Sequence, residues 1–254
     1  MEKEFFLCDA HTHVTSEQDL KERIDHHIVS LINHSDPETI DSFFSRIHPP
    51  FLIPSFGLHP WDADKRSFQE MEPFLQKVPV IGEIGMDNVW CDVSLSSQSK
   101  VFESQLELAC DLKKPVILHT KGQEKEIADI IRRYPNRYLV HWYSCKDHLQ
   151  DYIDQGCYFS IGPDVWWNPA TRNVARKVPL NRILTETDGL NAVQWAYDEA
   201  PDERKGSLLH VPDTTKKSLN LVIETVSEIR KIDKDQLKKT AYSNLVHGFL
   251  ETDQ

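Results

Sequence analysis

Eight short apolar runs recur along the chain, and their spacing limits the possible folds more than any other feature of the sequence. Each run is rich in Val, Ile, Leu, Phe or Tyr and is nearly continuous rather than alternating, which is typical of parallel strands buried on both faces. The runs are FFLCDA (5–10), IVSLI (28–32), FLIPSFG (51–57), VPVIGEIG (78–85), PVILH (115–119), YLVH (138–141), CYFSI (157–161) and RILTET (182–187).

Amphipathic stretches between most of these runs predict helices. Residues 96–112 and 123–134 carry apolar side chains at helical spacing, and residues 213–231 predict the final helix. Strands alternating with helices predict an α/β fold, a TIM-type (β/α)8 barrel, which commonly takes about 250 residues as one domain. We therefore expect residues 1–254 to form a single domain. The stretch after the first run is short, which predicts an abbreviated first helix.

The alternative α/β architecture is an open, doubly wound sheet. That fold binds its ligand with a glycine-rich loop directly after the first strand. Here the first run continues as DAHTHV, which contains no glycine. The barrel is the better prediction.

Composition and charge restrict the partners. No apolar run approaches the ~20 residues that a membrane-spanning helix needs, and the charged start MEKEFFLCDA does not resemble a signal peptide. The 5 cysteines include no CxxC pair, which favours a reducing, cytoplasmic location. The formal net charge of −11 argues against broad electrostatic capture of nucleic acid, which normally needs a basic surface. A monomer is the oligomeric state that we favour.

Histidines and acids follow six of the predicted strands. In a barrel the carboxyl ends of all strands meet at one mouth, where the active site lies. Side chains from distant parts of the chain are therefore expected to converge there. They are Asp9, His11 and His13 after the first run, His59 after the third, Glu83 in the fourth, His119 and His141 at the ends of the fifth and sixth, and Asp188 after the eighth.

These residue types at these positions predict a centre for two divalent metal ions. His11 and His13 lie two apart on a strand end, so their imidazoles point to the same side and can hold one ion. Glu83 is the natural bridge to a second ion. His119 and His141 would bind that ion, and Asp188 would reach the first. Two ions about 3.5–4 Å apart can activate a water and polarise a phosphoryl or carbonyl oxygen. The identity of the metal, Zn, Mg, Mn, Fe or Ni, stays open.

Further residues are predicted to support this centre. Glu186 is expected to orient a ligand histidine rather than to bind metal, and Asp9 and Asp87 are candidates for the same task. Trp166 and Trp167 follow the seventh run on the side of the mouth. Packing against a loop and stacking on a nucleobase both remain open for them.

The motifs DAHTHV, GLHPW, GEIGMD, PVILHTK, LVHWYS, YFSIG and ILTETDG, in this order, resemble the TatD-like family of metal-dependent deoxyribonucleases, in the amidohydrolase superfamily of barrels. The resemblance runs from Cys8 to about Phe249, where TAYSNLVHGF resembles the closing helix of the family. It implies a two-metal centre that hydrolyses DNA phosphodiesters, often from an end. The positions that match the metal ligands of the family are His11, His13, Glu83, His119, His141 and Asp188. Among them, Asp188 and Glu83 are the catalytic candidates.

The same resemblance implies substrate contacts. His59 matches a histidine near the substrate phosphate, and Lys121 lies where the family often has an arginine. Three stretches depart from the family pattern. Trp142 and Tyr143 stand after His141 in place of Cys-Phe, Gly189 and Leu190 stand in place of Ser-Pro, and the later Asn-Glu-Pro stretch has no clear counterpart. These departures lie beside the predicted ligands and bear on the substrate rather than on the reaction class.

Three functions compete on the sequence. The leading one is a two-metal phosphodiesterase that acts on DNA or a related nucleotide. The second is an amidohydrolase-type enzyme that cleaves a C–N or ester bond of a small substrate with the same metals. A lysine at the end of the fourth strand would favour that class, but Glu83 stands there. The third is a non-catalytic relative, which we would expect to lack some ligands, whereas all six are present.

Overall fold

Eight parallel strands form the centre of the molecule. In this computed structural model, which describes residues 5–14, 16–206, 208 and 210–251, each strand is hydrogen-bonded to the next one along the chain, in the order β1 to β8. The strands are β1 (Cys8–Thr12), β2 (Val29–His34), β3 (Leu52–Phe56), β4 (Val80–Asp87), β5 (Val116–Lys121), β6 (Tyr138–Val140), β7 (Tyr158–Ile161) and β8 (Ile183–Thr185). The predicted barrel is confirmed, and no strand boundary differs from its prediction by more than three residues.

Helices follow most of the strands and pack around them. They are α1 (Glu17–Asp25), α2 (Ile40–Phe44), α3 (Phe68–Leu75), α4 (Leu95–Asp111), α5 (Glu124–Ile131), α6 (Leu149–Ile153), α7 (Pro169–Lys177), α8 (Leu190–Asp198), α9 (Asp202–Lys205), α10 (Thr215–Arg230) and α11 (Lys234–Ser243), before a π-helical segment, Asn244–Leu250. The prediction that α10 is the final helix is wrong, because α11 and the π-helical segment follow it. Helix α1 has 9 residues against 17 in α4. In the described part of the chain, no helix is both long and apolar enough to cross a membrane.

A layer of apolar side chains fills the interior of the barrel. Cys8, Ala10, Val29, Leu31, Val80, Ile117, Leu139, Tyr158 and Leu184 belong to it, and all are buried. Leu245 and Phe249 of the π-helical segment pack into the same layer and are fully buried. The C-terminal segment therefore closes the floor of the barrel, opposite the mouth.

In β5 and β6, the regular alternation of side chains between the two faces places histidines at the mouth, above this apolar layer. Successive residues of a strand point to opposite faces, so residues two apart share a face. Ile117 and Leu139 lie in the interior layer. His119 and His141 follow them at this spacing and share their face. Regular strand geometry therefore aims both imidazoles into the barrel.

Strands β1 and β4 need an irregularity to do the same. Ala10 and Val80 point into the interior layer, so strict alternation would turn His11 and Glu83 away from it. The pairing register shifts between Asp9 and Thr12 in β1, and between Ile81 and Ile84 in β4. Such shifts re-aim a side chain, as bulges beside active sites commonly do. They bring His11 and Glu83 to the inner side.

Backbone and side-chain hydrogen bonds close the barrel between β8 and β1, and we call this junction the seam. The Thr185 hydroxyl donates to the Cys8 carbonyl at 2.7 Å. The Asp9 carboxylate accepts the Thr187 N–H at 2.7 Å and its hydroxyl at 2.6 Å. The Asp188 N–H donates to the His11 carbonyl at 3.1 Å. These bonds hold the end of β8 against the end of β1.

Arg23 of α1 supports the seam from behind. Its guanidinium is fully buried, donates to Asp9 at 2.8 Å and pairs with Asp19 at 3.1 Å. It also donates to the hydroxyls of Thr12 and of Thr215, the first residue of α10. A buried cation is tolerated only when its donors are satisfied in this way. One side chain therefore ties α1, β1 and α10 together.

Replacing Arg23 by Met should destabilise the fold strongly. The variant leaves the buried Asp9 and Asp19 without their cation, and breaking one side of a buried pair costs about 3–5 kcal/mol. We expect the free energy of unfolding, measured by urea denaturation, to fall by about this amount. Arg46→Met removes an exposed pair with Glu17 and should cost at most about 1 kcal/mol. Equal losses in the two variants would contradict the role of Arg23.

Candidate metal centre

Glu83 lies at the centre of a cluster of histidines and acids at the mouth of the barrel. Its side chain is buried, and its two carboxylate oxygens face different groups. Oε2 lies 3.3 Å from Nε2 of His11 and 3.6 Å from Nε2 of His13. Oε1 lies 2.6 Å from both Nδ1 of His119 and Nε2 of His141. A carboxylate placed in this way can bridge two ions.

Asp188 completes the group on the Oε2 side. Its Oδ1 lies 3.3 Å from Nε2 of His11 and 3.6 Å from Nε2 of His13. The carboxylate reaches this point because the chain turns sharply after β8: Asp188 has φ +56° and Gly189 has φ +88°. A Cβ at Gly189 would lie 2.6 Å from the carbonyl oxygen of His13. Only glycine fits this close approach, so Gly189 allows Asp188 to meet the two histidines.

The group on the Oε1 side consists of His119 and His141, with His59 beside them. Nε2 of His141 lies 3.4 Å from Nδ1 of His119, and Nε2 of His59 lies 3.7 Å from the Glu83 oxygen. The His141 ring also lies 4.4 Å from the His11 ring, between centroids. Two groups of donors therefore adjoin each other across Glu83.

The donors fit a divalent metal better than they fit one another. Both ring nitrogens of His11 are buried without a hydrogen bond of normal geometry. Burial and the neighbouring His141 lower the pKa of His11, but the carboxylates of Glu83 and Asp188 outweigh them and raise it to about 9. The carboxylates thus require positive charge at this point. Metal ions can supply that charge in place of protons, since ligand histidines bind metal in their neutral form.

Asp87, at the end of β4, holds His119 in place. Its Oδ2 lies 3.0 Å from Nε2 of His119 and accepts a hydrogen bond from the Trp61 indole at 2.8 Å. Its Oδ1 accepts the backbone N–H groups of Val89 and Trp90. Burial raises the pKa of Asp87, but these hydrogen bonds outweigh it and hold the pKa well below its ordinary value. An ionised Asp87 fixes the His119 proton on Nε2 and leaves Nδ1 free for a metal.

Glu186 lies beside the histidine cluster, whereas Asp9 lies at the seam. Glu186 is fully buried, accepts the Ser160 hydroxyl at 2.7 Å, and lies 3.7 Å from Nδ1 of His141. Glu186 therefore adjoins His141 without a hydrogen bond to it, and its role in orienting that ring stays a prediction. The structure does not bring Asp9 to a ligand histidine, because its oxygens bind Arg23 and Thr187 at the seam. Asp9 acts on the centre only through the backbone beside Asp188.

A cavity of about 730 Å³ opens above the cluster. His13, His59, Glu83, His119, His141 and Asp188 all line it. Lys121 lines it too, with its ammonium 4.1 Å from the centroid of the Trp90 ring and 3.5 Å from the Ser144 hydroxyl. The structure therefore places both predicted substrate contacts, His59 and Lys121, beside the cluster.

The fold, the cluster and the cavity agree with what the chain matches among known proteins. The family model described as TatD related DNase matches residues 8–249. The chain belongs to this family.

Relatives in the TatD family differ in how much of their length aligns with this chain. The human 3'-5' RNA nuclease TATDN2 is 30% identical over 175 residues, which make up 60% of this chain but only 22% of that protein. The 3'-5' ssDNA/RNA exonuclease TatD of Edwardsiella piscicida is 26% identical over 214 residues, which cover 79% of this chain and 78% of the relative. The crystal structure of YjjV, a TatD homolog from Escherichia coli K12, shares 22% identity with a TM-score of 0.77, covering 97% of this chain and 98% of that one. This last likeness shows a common fold.

Two tryptophans that line the cavity, Trp90 and Trp195, carry no signal in the sequence that marks them for this position. Trp142, a departure from the family pattern directly after His141, lines the cavity as well. It has φ +36°, and its indole donates to Asp164 at 2.8 Å. Of the Trp166–Trp167 pair, Trp167 lines the cavity, whereas Trp166 is buried against Tyr197.

Replacing His11 by Ala should remove metal and leave the fold intact. His11 contacts Glu83 and Asp188, so we expect the variant to lose at least one bound ion per chain, measured by elemental analysis, and nearly all hydrolytic activity. Circular dichroism should stay native-like, because ligands at an open site serve chemistry rather than folding. His48→Ala, which alters an exposed histidine, is the matched control. Unfolding of the wild type on chelation would show instead that the metals are structural.

Proposed function

We propose that this chain is a divalent-metal-dependent hydrolase of nucleic-acid phosphodiester bonds that acts near a strand end. The observation that carries the proposal is the division of the Glu83 carboxylate, with Oε2 facing His11 and His13 and Oε1 facing His119 and His141. Such a division suits a centre of two ions, which is typical of phosphoryl-transfer enzymes. Relatives named as 3'-5' nucleases support the substrate class.

In this proposal each ion has its own ligands. His11, His13 and Asp188 would hold one ion, His119 and His141 the other, and Glu83 both. When bound, the ions would supply a Lewis acid for the phosphoryl oxygen and lower the pKa of the attacking water. Asp87 and Glu186 would keep His119 and His141 in the orientation that leaves the ligand nitrogens free.

Asp188 would take the proton of the attacking water. Its Oδ1 faces the point on which His11 and His13 converge. Burial raises the pKa of Asp188, but the adjacent imidazoles, His11 foremost, outweigh it and keep the pKa below its ordinary value. The carboxylate is thus ionised and able to act as a general base. His59 and Lys121 would donate to the non-bridging oxygens of the phosphate.

One observation favours a second candidate, an amidohydrolase-type enzyme for a small C–N or ester substrate. Among the described residues that line the cavity, Lys121 is the only lysine or arginine, beside the acids Asp62, Glu83, Asp164 and Asp188. Nucleic-acid sites normally carry more cations. The bridging position nevertheless holds Glu83 rather than lysine, so the phosphodiesterase remains our proposal.

We further propose a monomer that works as one domain in the cytoplasm. All predicted ligands come from a single chain and a single barrel, which supports the first point. The five cysteines are free in the structure, which suits a reducing compartment.

A substrate panel separates the two candidates. The purified protein is supplied in turn with Zn²⁺, Mg²⁺, Mn²⁺, Fe²⁺ and Ni²⁺ and incubated with single-stranded DNA labelled at either end, duplex DNA, RNA, an ester and a cyclic amide. We expect metal-dependent shortening of the single strands from one end, absent in His11→Ala. Hydrolysis of the ester or amide with no attack on any nucleic acid would overturn the proposal.

Asp188→Asn tests the general base. Asparagine keeps the size and one oxygen ligand and tolerates the left-handed backbone at this position, but it cannot accept the proton. We expect kcat to fall by roughly 10²–10⁴, the range typical of a lost general base, and the metal content to fall less than in His11→Ala. Full activity with full metal would deny Asp188 any catalytic role.

A further inference from the structure

Tryptophan is concentrated around the cavity. Five of the six tryptophans in the chain line it. Trp195 contacts both Trp90 and Trp142, and we call these three residues the tryptophan wall. The Trp195 ring lies 5.8 Å from the Trp142 ring and 6.1 Å from the Trp90 ring, in edge-to-face arrangements. The three indoles come from three separate elements, after β4, after β6 and from α8.

Hydrogen bonds and packing hold the wall in place. The Trp142 indole donates to Asp164, whose other oxygen accepts from Asn168 and Thr171. The ring also covers Gly162, where a Cβ would lie only 2.6 Å from its atoms. An aromatic surface that is ordered in advance loses little entropy when a flat ligand stacks on it.

The wall is nevertheless open to solvent. Trp90 is 52% exposed and Trp195 is 43% exposed. Ligand sites are concave and mostly apolar, with few polar groups. Because these exposed indoles line a cavity that also contains the metal ligands, they offer a surface to a ligand rather than to the fold.

The tryptophan wall adjoins the predicted metal ligands along the chain. Trp142 is the residue after His141, and α8, which carries Trp195, begins two residues after Asp188. Lys121, two residues after His119, places its ammonium over the Trp90 ring. A ligand with a phosphate at the centre and an attached flat ring can therefore reach both features.

Charge indicates what kind of recognition this cavity permits. Lys121 is the one lysine or arginine among the described lining residues, and the chain has a net charge of −11. Several phosphates could not all be neutralised here by side chains. Affinity for a nucleotide chain must then come from the metal centre and from contacts with the bases.

From these observations we infer that the tryptophan wall is a nucleobase subsite, on which a base adjoining the scissile phosphate stacks. Every base has a flat face, so the subsite accepts different sequences. This inference rests on the proposed function, because the scissile phosphate is taken to lie at the metal centre. Recognition by stacking requires unpaired bases, so single strands and frayed ends are the substrates, and duplex interiors are not.

The first experiment compares two phosphodiesters that share a leaving group. Thymidine 5'-(p-nitrophenyl phosphate) carries a base, and methyl p-nitrophenyl phosphate carries none. In Trp195→Ala and Trp90→Ala the ratio of kcat/KM on the first to kcat/KM on the second should fall roughly 5- to 100-fold, the loss of one base–aromatic stack. Trp195→Phe should restore most of the ratio, and Leu112→Ala, an exposed apolar residue at the end of α4, should leave it unchanged. An unchanged ratio in both alanine variants would overturn the subsite, while metal-dependent cleavage of either ester would still support the proposed function.

The second experiment reads binding without turnover. Titration of the metal-loaded protein with thymidine 5'-phosphate should quench tryptophan fluorescence, whereas 2-deoxyribose 5-phosphate should not, and Trp195→Ala should weaken nucleotide binding. Equal quenching by the two compounds would overturn the inference even if no substrate is cleaved.

The third measures the salt dependence of KM for single-stranded DNA. Single strands lose affinity with a log–log slope of about −0.7 per neutralised phosphate. One lysine predicts a slope near −1 or shallower for affinity. A slope of −3 or steeper would mean that cations, not stacking, hold the strand.

Discussion

The seam of the barrel and the cluster at its mouth both depend on the buried ion pair between Arg23 and Asp9. Asp9 binds Arg23 on one side and the N–H and hydroxyl of Thr187 on the other, so the pair holds the end of β8 against β1. That junction sets the distance between His11 in β1 and Asp188, which follows β8. The barrel could bury apolar side chains with a looser seam. The cluster at its mouth needs this junction, because His11 and Asp188 come from opposite sides of it and lie 3.3 Å apart.

The mouth of the barrel also needs its buried charges balanced, here between carboxylates and imidazoles. Glu83 and Asp188 are surrounded by histidines whose burial opposes protonation and whose carboxylate neighbours favour it. Divalent metal ions would balance the charge of these carboxylates while leaving the histidines neutral. The outer acids Asp87 and Glu186 face the far sides of two imidazole rings. Asp87 is hydrogen-bonded to His119 at 3.0 Å, whereas Glu186 lies 3.7 Å from His141.

Strand order and the ends of strands could be predicted from the sequence because the apolar runs are short, continuous and evenly spaced. His119 and His141 follow interior residues by two, so alternation alone aims them. His11 and Glu83 could not be aimed in this way, since the register shifts in β1 and β4 are decided by pairing across strands. The surroundings of Asp9 could not be predicted for a similar reason. Its partner Arg23 lies 14 residues further along the chain, in a helix whose packing no local pattern reveals. The tryptophan wall comes from three distant elements, and only the closed barrel brings them together.

The π-helical segment and the apolar layer that it packs against fill the barrel below the cavity. Leu245 and Phe249 are fully buried in this layer, on the side opposite the mouth. In the proposed function, a strand cut at the mouth could not continue through the packed barrel. Its shortened end and the released nucleotide would both have to leave on the side of the mouth. Repeated shortening of a strand would then be distributive, with a rate that depends on how fast the bases dissociate from the indoles.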